Sequence, residues 1–240
     1  NALLAQLPEA RQTLLFSATF NDGIYQLAKS RLRDPQRIEV APRNSTAREI
    51  EQRVYAVDNE RKAELVSHLI RVKGYQPVLI FSRTRQGCDK LAQQLLPQGV
   101  QAQALHGDLS QAARETVLQS FRDGSLQALV ATDVAARGLD IPELNYVFNL
   151  ELPHVAEDYV HRIGRTGRAG KKGLAITLFS PDDALRLEEV EAALDQRLPQ
   201  QWFPGFEPDL TKAAPDPRRH SKTAQKQRAK KRALGSKGKR

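Results

Sequence analysis

The 240 residues carry 40% hydrophobic side chains, enough for a sizeable core, yet no apolar run reaches the roughly 18 residues that a membrane-spanning helix needs. The only cysteine, Cys88, excludes an internal disulfide; it reads as a small buried hydrophobe in a reducing, cytoplasmic compartment. The formal charge of +9 is uneven: residues 212–240 hold 12 Lys/Arg and one Asp, net +11, which leaves 25 Lys/Arg against 27 Asp/Glu, net −2, on residues 1–211.

Along the chain, residues 1–41 read as the end of a preceding domain. A strand-like run at Thr13–Phe16 is followed by a helix from about Gly23 to Leu32 and a second strand at Arg37–Val40. The chain has no methionine and its opening reads as the middle of a fold. Asn1 is therefore not expected to be the natural start, and a further domain of about 150–200 residues is expected before it. Residues 42–50 are polar and read as a linker. From 51 to 198 the pattern alternates. Apolar or β-branched runs stand at Arg53–Val57, Val78–Phe81, Gln101–Leu105, Leu126–Ala131, Tyr146–Leu150 and Leu174–Phe179. Segments of helical spacing lie between them, such as Arg61–Val72 with Leu65, Val66, Leu69 and Ile70 on one face. Ser110 sits where a cap would open the helix running to Phe121, and Gly124 closes it. This alternation predicts a parallel α/β sheet with helices on both faces and working loops at the strand carboxyl ends. Residues 199–211, rich in Pro and aromatics, are expected to lie extended over that domain. The tail from Lys212 has no apolar periodicity; it is expected to be disordered in isolation and to bind nucleic acid.

The densest chemistry is His161-Arg162-Ile163-Gly164-Arg165-Thr166-Gly167-Arg168. Three arginines at steps of three share a helix face, glycines allow close approach, and guanidinium forks suit phosphate oxygens. The alternative is a salt-bridged surface loop, although the nearby acids Glu157 and Asp158 can pair with only one or two of the three. A second string, Ala131–Asp140, follows a strand. There Asp140 can accept from sugar hydroxyls, and Thr132 can donate to a phosphate or cap the next helix. Ser17-Ala18-Thr19 and His106-Gly107-Asp108 with Gln111 and Arg114 are weaker signals. A histidine at His106 is more often structural than catalytic, whereas Arg114 sits one turn into a helix at the same edge.

Together these strings resemble the DEAD-box RNA helicases of superfamily 2. Ser17–Thr19 is similar to motif III, Val78–Thr84 to motif IV, His106–Arg114 to the Gln-x-x-Arg element, Ala131–Asp140 to motif V and His161–Arg168 to motif VI. Phe203-Pro204-Gly205-Phe206-Glu207-Pro208-Asp209 before a basic tail resembles the RhlE branch. The resemblance implies a RecA-like second helicase domain whose Arg165 and Arg168 act as arginine fingers on the γ-phosphate of ATP. Asp140 would contact the ribose. Arg162 would belong to the ATP site chiefly by positioning this loop. Thr84, Gly107, Arg114 and Thr132 would lie along the RNA backbone, and Ser17, Thr19 and His161 would couple ATP state to domain closure. ATP and Mg2+ would be bound mainly by the preceding domain, because this chain has neither a Gly-x-x-x-x-Gly-Lys-Ser/Thr nor an Asp-Glu-Ala-Asp string. A monomer is expected, working on RNA in ribosome assembly or decay. A free-standing RNA-binding module and a DNA helicase of the same superfamily remain open alternatives.

Overall fold

The computed structural model describes residues 6–8, 10–17, 22–38, 50–139, 144–167 and 172–211. Thr19, Asp140, Arg168, the linker residues 42–49 and the basic tail lie outside the described residues. The chain divides into two compact units, Asn1–Ser45 and Thr46–Arg240.

In the first unit the regular element is α1, Asp22–Arg31, close to the predicted helix. The strand expected at Thr13–Phe16 is corrected by the structure, since those residues form no ladder; of the strand expected at Arg37–Val40, Arg37 and Ile38 are unpaired in any ladder and the rest lies outside the described residues. A β-strand exists only through a partner, and Leu14, Phe16 and Ile38 stand largely exposed.

The second unit is built on a seven-stranded sheet, all of whose pairings are parallel. Its strands are β1 (Glu51–Ala56), β2 (Val78–Phe81), β3 (Ala102–Leu105), β4 (Ala128–Ala131), β5 (Tyr146–Asn149), β6 (Leu174–Phe179) and β7 (Gln200–Trp202). They lie in the order β3-β4-β2-β5-β6-β1-β7. Parallel neighbours need crossover connections, which the helices supply. These are α2 (Lys62–Arg71), α3 (Arg85–Leu95), α4 (Gln111–Arg122), α5 (Asp133–Ala136), α6 (Ala156–Ile163) and α7 (Ala184–Leu194).

The two-residue period of the strands sorts the core. Val78 and Ile80 of β2, with Val130 and Phe148, pack against Leu65, Leu69, Leu91 and Leu95 of α2 and α3. The intervening Leu79 and Phe81 pack on the opposite face with Val117, Phe121 and Ala135 of α4 and α5. On α6 and α7, Tyr159, Ile163, Leu187 and Val190 close over Val54 and Ala175. The cap predicted for α4 is present, with Ser110 accepting from the Ala113 amide at 3.2 Å.

The Pro-aromatic segment does more than lie on the surface. Gln200–Trp202 adds the edge strand β7 to β1, and Phe203 enters the core with its ring 5.3 Å from those of both Tyr55 and His68. The adjacent Trp202 remains 58% exposed. Phe203→Ala is therefore expected to cost about 3 kcal/mol in urea unfolding, whereas Trp202→Ala costs less than about 1 kcal/mol.

Burial also holds protons. It pushes the Tyr159 hydroxyl from 10.0 up to about 12 and the Cys88 thiol from 9.0 up to about 12. Both groups bind their proton more tightly folded than unfolded, so their stabilising contribution is full below the unfolded value and drains as pH rises through the folded one. The urea midpoint should fall between pH 9 and 12, and Tyr159→Phe should flatten the part of that fall above pH 10.

Candidate functional site

Because every strand runs the same way, the segments after β1 to β6 all emerge at one edge of the sheet. Around β2, β3 and β4 they enclose an open groove of about 560 Å³ lined by Arg83, Thr84, Arg85, Gln86, Gly107, Asp108, Thr132 and Val134. Thr84, Gly107 and Thr132, three residues expected there, are thus brought together. Arg114 is half-buried in the first turns of α4, where its amide donates to the Ser110 carbonyl at 3.0 Å, and it does not line the groove.

The two threonines are helix caps. Thr84 accepts from the Gly87 amide at 2.9 Å and Thr132 from the Ala135 amide at 3.4 Å. A cap uses the hydroxyl oxygen as acceptor and leaves its hydrogen to donate, so capping and anion contact are compatible at one side chain. Arg83, Arg85 and Val134 were not singled out from the sequence. Arg85 directly follows the motif-like string that ends at Thr84, and it pairs with Asp108, both side chains being well exposed. His106 is structural: it is 4% exposed, with Nε2 3.0 Å from Asp89 Oδ1.

Four-residue α5 has a second side. Phe81, Asp133, Ala136, Arg137, Asp158, His161, Arg162 and Arg165 gather there. Arg162, expected to act chiefly by positioning its loop, is buried at this side of the edge. It is 1% exposed and sits over the Phe81 ring at 5.1 Å. Its Nε and Nη2 donate to the two carboxylate oxygens of Asp133 at 2.6 and 2.8 Å, and Nη1 donates to Asn149 Oδ1 at 3.2 Å and to the Glu151 carbonyl at 2.7 Å. All three guanidinium nitrogens are engaged by protein acceptors in this structure. The acid that binds it lies 29 residues away in sequence. Asp158 serves Arg137 at 2.9 Å and His161 at 3.5 Å.

From Arg162 a buried polar chain continues. Asn149 Nδ2 donates to Thr177 Oγ1 at 3.2 Å, and Tyr159 Oη lies 3.4 Å from Thr177 and donates to Gln52 Oε1 at 3.1 Å. With the Tyr159 proton given to Gln52, Thr177 must be the donor in its contact with Tyr159. All donors therefore run one way, from Arg162 toward β1, and such alignment reinforces each bond.

Arg162 and Arg165 do not share one helix face, and Arg168 lies outside the described residues. Helix α6 ends at Ile163, because Gly164 caps it and a tight turn follows, with the Arg165 amide donating to the Arg162 carbonyl at 3.1 Å. Arg162 points into the core from the last helical turn; Arg165 is half-buried in the turn beyond it. The loop is then pinned by Thr166 Oγ1, which donates to the Leu144 carbonyl at 2.6 Å. Gly167 holds φ +65°, and a Cβ there would stand 2.8 Å from Ile50 Cγ1.

Below the groove lies a compact charge cluster. Lys62 Nζ donates to the Leu150 carbonyl at 3.0 Å and to Asp183 Oδ2 at 3.2 Å, and burial lowers its pKa although Asp183 opposes that shift. Among the described residues, no group of three or more His, Cys, Asp or Glu converges as metal ligands, and no helix is long and apolar enough to cross a membrane. These side chains offer no fit for a resident Mg2+.

Residues 61–170 match the family described as helicase conserved C-terminal domain. The chain is 40% identical over 209 residues to the DEAD-box ATP-dependent RNA helicase CshA of Bacillus cereus, an alignment that covers 87% of this chain and 40% of that protein. It thus spans about 40% of the length of the curated relatives it matches. Among solved structures, it is similar to the E. coli DEAD-box protein SrmB bound to regulator of ribonuclease activity A, at 36% identity and TM-score 0.64, covering 70% of this chain and 98% of that one. It is also similar to S. cerevisiae Dbp5 bound to RNA and ADP BeF3, at 30% identity and TM-score 0.74, covering 83% of this chain and 53% of that one.

Removing Arg162 would strand a carboxylate. Arg162→Ala should destabilise the fold by about 3–5 kcal/mol, read as a lowered urea midpoint. Arg162→Lys should recover little of it, because an ammonium cannot reproduce a two-pronged bond to one carboxylate.

Proposed function

The chain belongs to the DEAD-box helicase family as its C-terminal half, and from that premise we propose that it serves an ATP-dependent RNA helicase by holding the RNA backbone and supplying arginines to the ATP phosphates. The observation that carries this reading is the position of α5. Thr132 and Val134 line the groove on one side of it, while Asp133, Ala136 and Arg137 line the arginine cluster on the other. One turn of helix thus borders both surfaces, so a ligand on either side acts on the same short element. The Dbp5 structure, bound to RNA and ADP BeF3, supports a fold of this kind engaging both ligands.

In this mechanism Thr84, Gly107 and Thr132 within the groove, and Arg114 from the helix beside it, contact phosphate and sugar, which carry no base code, so sequence preference is weak. Arg165 and Arg168 complete an ATP site whose phosphate cradle and Mg2+ ligands belong to a preceding domain, and Asp140 meets the ribose. Residues of that preceding domain, not of this chain, would hold Mg2+, which would supply positive charge at the phosphates. Arg162 fixes the loop from which Arg165 projects. Ser17, Thr19 and His161 link nucleotide state to closure of the two domains. RNA bent to fit the closed cleft does not remain a straight duplex, so one strand is released and hydrolysis reopens the cleft, a population shift driven by differential binding. The basic tail adds salt-sensitive, non-specific affinity. The resemblance of Phe203–Asp209 to the RhlE branch supports that branch, and the single cysteine supports a reducing, cytoplasmic setting.

An arginine finger contributes on the order of 10³–10⁵ in rate, or roughly 4–7 kcal/mol of barrier. RNA-stimulated ATP turnover by the full-length protein should therefore fall at least about 10³-fold on Arg165→Ala, with the fold intact by circular dichroism. An Arg165→Ala enzyme that keeps full turnover would overturn the assignment. The 240-residue chain by itself should hydrolyse no ATP.

A further inference from the structure

Arg83 is held far more loosely than Arg162. Its side chain is 20% exposed and lines the groove. It faces two carboxylates, but at ion-pair range only: Nη2 is 3.7 Å from Glu151 Oε1 and 3.9 Å from Asp183 Oδ1. Both separations exceed a direct hydrogen bond. Arg162, by contrast, grips Asp133 at 2.6 and 2.8 Å.

Both carboxylates have other partners. Asp183 Oδ2 receives Lys62 Nζ at 3.2 Å and Ser180 Oγ at 3.0 Å. Glu151 Oε2 receives Ser82 Oγ at 3.1 Å and the Arg83 amide at 2.9 Å. If the Arg83 guanidinium moved into the groove, Asp183 would keep the Lys62 charge and Glu151 would keep two donors. The remaining oxygen, Asp183 Oδ1, is buried and has no hydrogen-bond partner even with Arg83 in place. Departure therefore breaks no hydrogen bond of the Arg83 side chain, whereas departure of Arg162 would leave Asp133 alone.

We propose that Arg83 is a further phosphate-binding residue of the groove, exchanging the Glu151–Asp183 carboxylates for an RNA phosphate when RNA binds. The proposal rests on the groove being the RNA surface. Its chemistry is competition: two fixed carboxylates hold the guanidinium loosely beside the groove, and a phosphate that can take it in two parallel bonds draws it across. Glu151 thereby tunes affinity without touching RNA.

The test is fluorescence anisotropy of a labelled oligouridylate with the full-length protein across a salt series. Arg83→Gln should weaken binding about tenfold and reduce the slope of log K against log salt by about 0.7, the value for one phosphate contact on a single strand. Glu151→Gln removes the competing charge while keeping an acceptor, and should tighten binding severalfold. That gain should vanish in the double variant with Arg83→Gln. The control is Thr84→Ala, at the groove wall. If Thr84→Ala weakens binding while Arg83→Gln changes neither affinity nor slope, the proposal falls and the groove reading stands. If neither substitution weakens binding, both fall. Should Arg83→Gln fail to fold by circular dichroism, Glu151→Gln decides alone: tighter binding sustains the exchange, and unchanged or weaker binding overturns it.

Discussion

Most of this domain's working edge depends on one interaction, the two-pronged bond from the buried Arg162 to the half-buried Asp133. It joins the last turn of α6 to the first residue of α5, two elements that follow different strands. A buried ion pair is a poor source of net stability, because desolvation offsets its attraction. Its value here is geometric. The same guanidinium holds the Asn149 side chain and the Glu151 carbonyl, so β5, α5 and α6 share one register at the rim. The one-way hydrogen-bond chain through Thr177 and Tyr159 extends that register to Gln52 on β1.

The arginines of this edge divide by how much of their hydrogen-bonding capacity the protein consumes. Arg162 is consumed fully and is part of the scaffold. Arg137 is tied to Asp158 but remains 61% exposed, where water and salt weaken the pair. The Arg83 guanidinium is attracted at a distance and hydrogen-bonded to neither carboxylate. This grading follows from burial: a guanidinium without water must find protein acceptors for its donors, and one at the rim need not.

Much of the architecture was legible because its signals are local. The runs Val78–Phe81 and Leu174–Phe179 are strands with the same bounds, and Ser110 caps the helix its position implied. What failed was non-local. Thr13–Phe16 has strand composition but no ladder partner among the described residues, and composition cannot supply one. Gln200–Trp202 was read as a surface strap because nothing in three polar and aromatic residues announces that β1 has a vacant edge. In the site, the grouping of Thr84, Gly107 and Thr132 could be anticipated, since each follows a strand of one parallel sheet. The partner of Arg162 could not. Sequence proximity favoured Glu157 and Asp158, while the fold delivered Asp133 from the neighbouring crossover. Arg83 and Arg85 escaped notice because a basic residue after a strand is unremarkable until its neighbours are known.

A parallel sheet also has an opposite rim, where the chain enters β2, β3 and β4. The turns there contain Gly74, Gly99 and Gly124, all at positive φ, and at Gly74 and Gly124 an added Cβ would meet nothing within 4 Å. No residue of the groove or the arginine cluster comes from these turns. A side chain at these glycines would strain the backbone even where space is open, but the lining of the groove and of the arginine cluster comes from the other end of the strands. An insertion in one of those turns would enter the chain a strand's length away from the working edge, where added residues are tolerated best.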